Sequence, residues 1–333
     1  MSADAVVGLI GDDEDDDDVL DTAVANPRSI VVGEQRAALR ELLPGDVKLD
    51  EPMRRHTTAK LGGPADVFAQ PSSIERLEAL IRWCAAQAMP ITVVGGGSNL
   101  LVHDAGVRGV VLNTGRLRAI GLTTPTTIEV EAGVSTGKVL SVATKHELGG
   151  VEFLGGVPGS IGGGLIMNAG TYLGELTDVT TWVESVRLAD GARVRRDHDA
   201  CGFRYRASDL PPTEVVVRAE LTLRPRPRAE IEAAVKDLRA RRHAREPKKV
   251  ASNGSTFKNP PGDFAGRLIE AAGCKGWHQG DALCSPVHAN WLVNVGAARC
   301  VDMLTLIERV RARVEEVHGV RLELEVKVIG DPA

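Results

Sequence analysis

The 333-residue chain is predicted to be an α+β protein, and three features of its sequence indicate this. Helix and strand patterns follow one another along the chain without an internal repeat. Apolar residues make up 43% of the sequence, enough for a large buried core. Glycine contributes 36 residues, many of them in two clusters that each follow a predicted element. A chain of this length is expected to form two or three domains.

Charge divides the chain into an acidic start and a mildly positive body. Residues 1–30 hold nine acidic residues and one basic residue, whereas the net charge of the whole chain is −5. Because the run Asp12–Asp18 repels itself, we expect residues 1–30 to be a disordered, solvated tail, with mimicry of nucleic acid as an alternative. The body suits a small anionic substrate better than nucleic acid, which calls for a strongly basic face.

The sequence predicts neither a membrane protein nor a secreted one. No stretch approaches 18 consecutive apolar residues, and the N-terminus lacks the basic region of a secretory signal. The five cysteines are widely spaced without a C-x-x-C pair, which indicates packed, reduced thiols in a cytoplasmic protein. Histidines and cysteines show no ligand spacing, so no metal site is expected.

After the acidic segment the chain is predicted to form a small α+β lobe. Residues 34–43 have a helical pattern. Ser72 and Glu75 have the spacing of a capping box, with Ser72 as the N-cap of a helix that Pro90 ends. The short apolar run Ile91–Val94 is predicted to be a buried strand.

A β-rich stretch follows, containing one helix that carries Val139, Leu140 and Leu148. Asp190-Gly191 is typical of a hairpin turn. The strands are predicted at Val110–Leu112, Ile128–Val130, Val183–Leu188 and Val215–Leu223.

The last third of the chain is expected to begin beyond the proline-rich stretch Arg224–Pro227. The predicted elements are an amphipathic helix with Ile231, Ala234, Val235 and Leu238, a basic loop from Arg239 to Lys249, a helix around Leu268-Ile269, a long helix from Met303 to Val317, and a closing strand from Leu322 to Ile329. We expect the basic loop to be either a solvated face or a surface that attracts an anionic substrate.

The first glycine cluster, Gly95–Asn99, follows a buried strand. Glycines allow close approach of backbone to a phosphate, and consecutive N–H groups bind anions, although a tight turn explains this cluster equally well. The spacing fits neither a dinucleotide-binding fingerprint nor a P-loop. A second cluster, Gly155–Gly164, favours a chain that wraps an extended anionic cofactor, and Asn168-Ala169-Gly170 supplies further amide and turn chemistry beyond it.

Seven motifs in a fixed order carry a specific resemblance. They are Val93–Leu100, Gly156–Gly163, Asn168–Gly170, Tyr205–Ser208, Gly254–Pro260, Ser285–Asn290 and Leu324–Val326. Over residues 45–330 the chain resembles the UDP-N-acetylenolpyruvoylglucosamine reductases, flavoenzymes that act in the synthesis of peptidoglycan precursors. Since Thr171–Thr180 is short, the resemblance is to the branch that lacks a long tyrosine-bearing loop.

The resemblance implies a vanillyl-alcohol-oxidase-type FAD-binding fold of two lobes and a C-terminal α+β substrate domain. The expected boundaries are 31–92 for the first lobe, 93–225 for the second and 226–333 for the substrate domain. It also implies non-covalent FAD, NADPH as co-substrate and a UDP-sugar as substrate. We expect a monomer without nucleic-acid partners.

Three side chains fit the chemistry of the family's reaction, in which an enolpyruvyl ether receives a hydride at C3 and a proton at C2. Arg206 can bind a carboxylate and stabilise its growing charge, although an isolated arginine is usually a surface residue. Ser255 can donate the proton, although a Gly-Ser pair is otherwise a turn. The resemblance makes Glu325 the acid beside the substrate carboxylate; a solvated strand face shared with Glu323 is the alternative.

Contacts to the cofactor and the UDP-sugar follow from the same motifs. The expected FAD-binding residues are Thr58, Gly95, Gly96, Gly97, Ser98, Asn99, Leu100, Gly156, Pro158, Gly159, Ser160, Gly163, Asn168 and Gly170. The expected substrate-binding residues are Lys258, Asn259, Lys275 and Gln279. Two other hypotheses stay open at this point: a flavin oxidase or dehydrogenase of the same fold with another substrate, and a non-catalytic binding protein.

Overall fold

A computed structural model describes residues 26–332 of the protein. Most of the predicted acidic tail therefore lies outside the described residues. Its last part, residues 26–30, contacts the first lobe, because the Asn26 amide and the Ile30 N–H each donate a 3.0 Å hydrogen bond to the buried carboxylate of Asp66. The chain is thus anchored from Asn26 onward.

The first lobe is a four-stranded sheet covered by two helices. It contains α1 (Gly33–Leu42), β1 (Val47–Pro52), β2 (Pro64–Ala69), α2 (Ile74–Ala86), β3 (Ile91–Val94) and β5 (Val107–Asn113). The strand order is β1-β2-β5-β3, with β1 antiparallel to β2 and the other pairs parallel. The boundary predicted at 92/93 cuts through β3, because β3 and β5 complete this sheet.

The cap of α2 is Ser73, not the predicted Ser72. The Ser73 side chain accepts a hydrogen bond from the Arg76 N–H, whereas the Ser72 hydroxyl donates to Asp46. The predicted apolar face is confirmed, since Leu77, Leu80, Ile81 and Cys84 are all buried against the sheet.

The second lobe is built on a five-stranded antiparallel sheet. The strands are β6 (Ile120–Thr124), β7 (Thr127–Glu131), β11 (Thr180–Arg187), β12 (Arg193–Asp197) and β13 (Glu214–Thr222), in the order β12-β11-β13-β7-β6. The predicted hairpin at Asp190-Gly191 is confirmed by the pairing of β11 with β12. Val215 and Val217 belong to the core of the first lobe, whereas Val216 and Ala219 pack into that of the second, so β13 is covered on both faces.

Smaller elements complete this lobe. They are α3 (Thr136–Lys145), β8 (Leu148–Gly149), α4 (Ile161–Ile166), the hairpin of β9 (Gly170–Thr171) and β10 (Gly174–Glu175), and β14 (Arg224–Pro225). Leu148 is not on the helix as predicted. The chain leaves α3 through Glu147, whose φ of 55° is incompatible with a continuing helix, and Leu148 pairs with Pro225.

The C-terminal unit combines a second antiparallel sheet with helices. Its elements are α5 (Arg228–Arg245), β15 (Ala251–Ser252), α6 (Ala265–Ala271), β16 (His278–Gln279), β17 (Ala282–Cys284), β18 (Leu292–Asn294), α7 (Cys300–His318) and β19 (Lys327–Ile329). The sheet order is β15-β18-β17-β16. Helix α5 packs on the second lobe through Ile231 and Val235, although the boundary predicted at 225/226 assigns this helix to the substrate domain.

Two further expectations for this unit are wrong. Residues 239–245 continue α5 instead of forming a loop, since arginine and alanine favour a helix. The closing strand is broken: Leu324 forms a bridge to Phe257, and only Lys327–Ile329 is a strand, which pairs in parallel with β4 (Leu100–Val102).

Chemical features of the rest of the molecule are simple. All five cysteines are buried and free, and burial raises the pKa of Cys84, Cys284 and Cys300 to about 12. Within residues 26–332, histidines, cysteines and acids form no group of three or more that could hold a metal ion. No helix in the same range is long and apolar enough to cross a membrane.

Candidate active site

The two glycine clusters meet in space. Gly97, just beyond β3, has φ +67°, and a Cβ there would overlap the carbonyl oxygen of His56. The Gly97 carbonyl accepts a 3.2 Å hydrogen bond from the Thr58 N–H. A Cβ on Gly96 would lie 3.1 Å from the Cα of Gly159. We call Gly95–Asn99 together with Pro158–Gly163 the glycine cradle.

The glycine cradle fits an extended anionic cofactor. The hydroxyl of Ser160 is buried and has no hydrogen-bond partner among the described residues. A Cβ on Gly163 would meet only this hydroxyl, at 3.8 Å, so the backbone at Gly163 is open. Bare backbone and an unpaired hydroxyl are groups that bind phosphate and flavin edges.

Asn99, Asn168 and Gly170, which are expected cofactor residues, also use polar groups in protein contacts. The side-chain amide of Asn99 donates a 2.8 Å hydrogen bond to the Glu325 backbone carbonyl, while the backbone carbonyl of Asn99 accepts one from the Lys327 N–H. The Asn168 side chain is buried and makes three hydrogen bonds within the second lobe. The Gly170 carbonyl accepts from Arg206. A cofactor contact of Asn99 and Asn168 through side-chain amides is therefore not favoured.

Arg206 occupies a two-residue turn between Arg204 and Ala207, which exchange backbone hydrogen bonds. Its φ of 53° lies in the left-handed region, a strained conformation for a non-glycine residue that is typical of functional sites. Its Nε donates a 3.1 Å hydrogen bond to Glu325 Oε1, and Nη2 donates one of 3.1 Å to the Gly170 carbonyl. The predicted pair Arg206 and Glu325 is thus in direct contact.

Glu325 points into the molecule, unlike Glu323. The Glu325 side chain is 19% exposed and that of Glu323 is 77% exposed. The break in the closing strand explains this difference, because Glu325 donates its N–H to the Thr256 carbonyl and its own carbonyl is held by Asn99. Burial raises the pKa of Glu325 above its ordinary value, and nearby Arg206 lowers it in part.

Ser255 and Lys258 lie in the segment that pairs with Glu325. The Glu325 N–H and the Lys258 N–H form 2.9 Å hydrogen bonds across this pairing, to the carbonyls of Thr256 and Glu323. Lys258 Nζ lies 3.4 Å from the Glu323 carboxylate, and its charge also acts on Glu325. The backbone therefore places Ser255 one residue before the partner of the Glu325 N–H.

The other expected substrate residues make local contacts. Asn259 Oδ1 accepts the Ala265 N–H at the start of α6, Lys275 pairs with Glu270 at 2.7 Å, and Gln279 accepts from Arg309 at 3.4 Å. Their contact with a UDP-sugar remains a prediction.

Glu175 is a residue that the sequence analysis did not single out. Its Oε1 lies 3.6 Å from Arg206 Nη1, and its Oε2 accepts a 2.7 Å hydrogen bond from Asn168 Nδ2. An acid five residues after Asn168-Ala169-Gly170 is the only local signal, and it does not reveal the fold-dependent approach to Arg206.

Family models match two parts of the chain. Residues 65–196 match an FAD binding domain, and residues 246–329 match the C-terminal domain of UDP-N-acetylenolpyruvoylglucosamine reductase. The first match contains the whole glycine cradle. The α+β fold with an FAD-binding part is thereby confirmed, and FAD is the cofactor of this protein.

Whole proteins match over most of their length. A UDP-N-acetylenolpyruvoylglucosamine reductase of Symbiobacterium thermophilum is 43% identical over 89% of this chain and 95% of its own length. One from Anaeromyxobacter dehalogenans is 45% identical over 86% and 87%. The crystal structure of the reductase from Thermus caldophilus aligns with a TM-score of 0.73 and 38% identity, covering 85% of this chain and 98% of that one. The chain therefore belongs to the UDP-N-acetylenolpyruvoylglucosamine reductase family.

Proposed function

We propose that this oxidoreductase uses NADPH to reduce UDP-N-acetylglucosamine enolpyruvate to UDP-N-acetylmuramate, a step in peptidoglycan precursor synthesis. The observation that carries the proposal is the partly buried contact of Arg206 with Glu325, fixed to the glycine cradle through Asn99. Bound FAD supplies hydride transfer, from NADPH to C3 of the enolpyruvyl group. The remaining steps belong to the side chains of this protein.

Arg206 binds the substrate carboxylate. A guanidinium is always charged and offers several donors in one plane, so it holds a carboxylate in a fixed orientation. As hydride arrives at C3, negative charge grows at C2 and spreads into that carboxylate. The attraction to Arg206 then strengthens, which lowers the barrier.

Glu325 supports the same carboxylate in its protonated form. A buried acid with a raised pKa retains its proton more readily and can donate a hydrogen bond. Together, Arg206 and a protonated Glu325 present donors to the developing enolate, without a second negative charge beside it.

Ser255 provides the proton for C2. A hydroxyl is a weak acid, but a carbanion-like carbon is a strong base, so transfer is favourable when the two are in contact. Lys258 places a positive charge in the same segment, which stabilises the alkoxide that transfer leaves behind. With hydride at C3 and proton at C2, the double bond becomes a lactyl ether. All of these groups come from one chain, which supports a functional monomer.

The test is turnover of the purified, FAD-loaded protein with NADPH. We expect NADPH oxidation only when the enolpyruvyl sugar nucleotide is added, with UDP-N-acetylglucosamine as a control that lacks the reducible group. Oxidation of a neutral alcohol with no response to the sugar nucleotide would contradict the proposal and favour another flavoenzyme activity.

A further inference from the structure

Each of the three nitrogens of the Arg206 guanidinium faces a protein group, and Nη1 differs from the other two. Nε and Nη2 each form a hydrogen bond within the protein. Nη1 is buried, faces Glu175 at 3.6 Å, and has no hydrogen-bond partner among residues 26–332. The N–H groups of Nη1 are therefore buried without an acceptor, beside the carboxylate of Glu175.

Glu175 is itself fixed. It lies on β10, its Oε2 accepts the 2.7 Å hydrogen bond from Asn168, and its backbone N–H donates to Asp178 at 2.8 Å. The charge of Glu175 is thus placed opposite Nη1 and does not depend on Arg206 for its position.

Asn168 links Glu175 to the turn that carries Arg206. Its side chain is 1% exposed and its φ of 43° is left-handed. Besides binding Glu175, Nδ2 donates a 3.2 Å hydrogen bond to the carbonyl of Arg204, the residue that begins the turn, and Oδ1 accepts the Thr177 N–H. One buried amide therefore sets the distance between the Glu175 carboxylate and the Arg206 turn.

We propose that Glu175 is a positioning residue for Arg206, which attracts the Nη1 side of the guanidinium without occupying its N–H groups. This inference rests on the function proposed above for Arg206. Without the charge of Glu175, the guanidinium is drawn only towards Glu325, the other carboxylate within reach. The guanidinium would then turn away from the position in which it meets the substrate carboxylate, and a small misplacement in an active site lowers the rate strongly.

The first test is Glu175→Gln, which keeps the size of the side chain and an oxygen that can accept from Asn168. We expect reoxidation of the reduced flavin by the sugar nucleotide to slow by roughly 10- to 100-fold. Reduction of the flavin by NADPH and FAD content should stay unchanged. Asp209→Asn is the matched control, because Asp209 pairs with Arg204 in the same segment, and we expect no effect.

The second test is a double-mutant cycle. Arg206→Ala alone should slow reoxidation strongly, and adding Glu175→Gln should cause no further loss, because the residue on which Glu175 acts is gone. If the two substitutions together slow reoxidation by the product of their separate effects, the positioning role of Glu175 is wrong. Glu175→Asp, which keeps the charge, should fall between wild type and Glu175→Gln; an Asp variant slower than the Gln variant would also contradict it.

The cycle separates the two proposals. If Arg206→Ala leaves reoxidation unchanged, the proposed function of Arg206 fails. If Arg206→Ala slows it and Glu175→Gln does not, only the positioning role of Glu175 is wrong.

Discussion

The glycine cradle and the Arg206–Glu325 site are built differently. In the cradle, short segments line the site with backbone groups, and glycine occurs where a side chain would collide with neighbouring backbone, as at Gly97. In the Arg206–Glu325 site, side chains 119 residues apart meet, and their geometry depends on a broken strand, a strained turn and Asn99. Local sequence therefore specifies the first region, whereas the second depends on the assembled fold.

The largest effect on bound FAD is expected at Gly97. Gly97→Ala forces a side chain into the left-handed region, which costs about 1–3 kcal/mol, and places its Cβ against the His56 carbonyl. We expect loss of bound FAD, measured by flavin absorbance relative to protein, and a lower urea midpoint. Gly137→Ala is the control, because Gly137 is on α3 with nothing near its Cβ position. Normal FAD content in Gly97→Ala would show that the cradle tolerates side chains.

A substitution of Asn99 tests whether the glycine cradle and the Arg206–Glu325 site are connected. Asn99→Ala removes the hydrogen bond to the Glu325 carbonyl, worth about 0.5–1.5 kcal/mol. We expect slower reoxidation by the substrate with FAD retained. Asn253→Ala, which removes a similar bond to the Leu100 carbonyl, should leave the half-reactions unchanged. Loss of FAD from Asn99→Ala alone would instead support the original prediction of a cofactor contact.

The contacts of Asn26 and Ile30 with Asp66 predict that the end of the acidic segment stabilises the first lobe. Deleting residues 1–25 should leave turnover and stability unchanged, because the contacts of Asn26 and Ile30 remain. Deleting residues 1–30 removes two hydrogen bonds to the buried Asp66 carboxylate, each worth about 1.5–3 kcal/mol. Urea unfolding of both FAD-loaded variants measures the difference, and equal midpoints would contradict the anchoring.

The smallest effect is the pH dependence of stability that Glu325 contributes. Since the folded pKa of Glu325 is raised by burial, its contribution to stability is fully present below the ordinary glutamate pKa and is lost as pH rises through the folded value. Glu325→Gln removes this dependence, so its unfolding free energy relative to wild type should increase from acidic to neutral pH. Glu323 is an exposed acid and serves as the control. The unfolding free energy of Glu323→Gln should change with pH in the same way as that of wild type. If the difference in unfolding free energy between Glu325→Gln and wild type does not change with pH, the raised pKa of Glu325 is contradicted.

What the sequence could predict follows this same division. The helix faces, the hairpin at Asp190-Gly191 and the glycine clusters depend on neighbours in the chain, and each was recognisable. The break between Leu324 and Lys327 was not, because their partners, Phe257 and Leu100, come from distant segments. Motif resemblance predicted roles for Arg206 and Glu325, but no local pattern could reveal Glu175, whose partner lies 31 positions away.

In the reaction proposed above, Ser255 donates the proton, beside a carboxylate held by Arg206. The direct measurement follows the two half-reactions of Ser255→Ala by stopped-flow absorbance under anaerobic conditions, with Ser141→Ala on the surface of α3 as the control. We predict normal flavin reduction by NADPH and reoxidation by the enolpyruvyl sugar nucleotide slowed by about 10²- to 10⁴-fold. Equal slowing of both half-reactions, or normal reoxidation, would contradict the account.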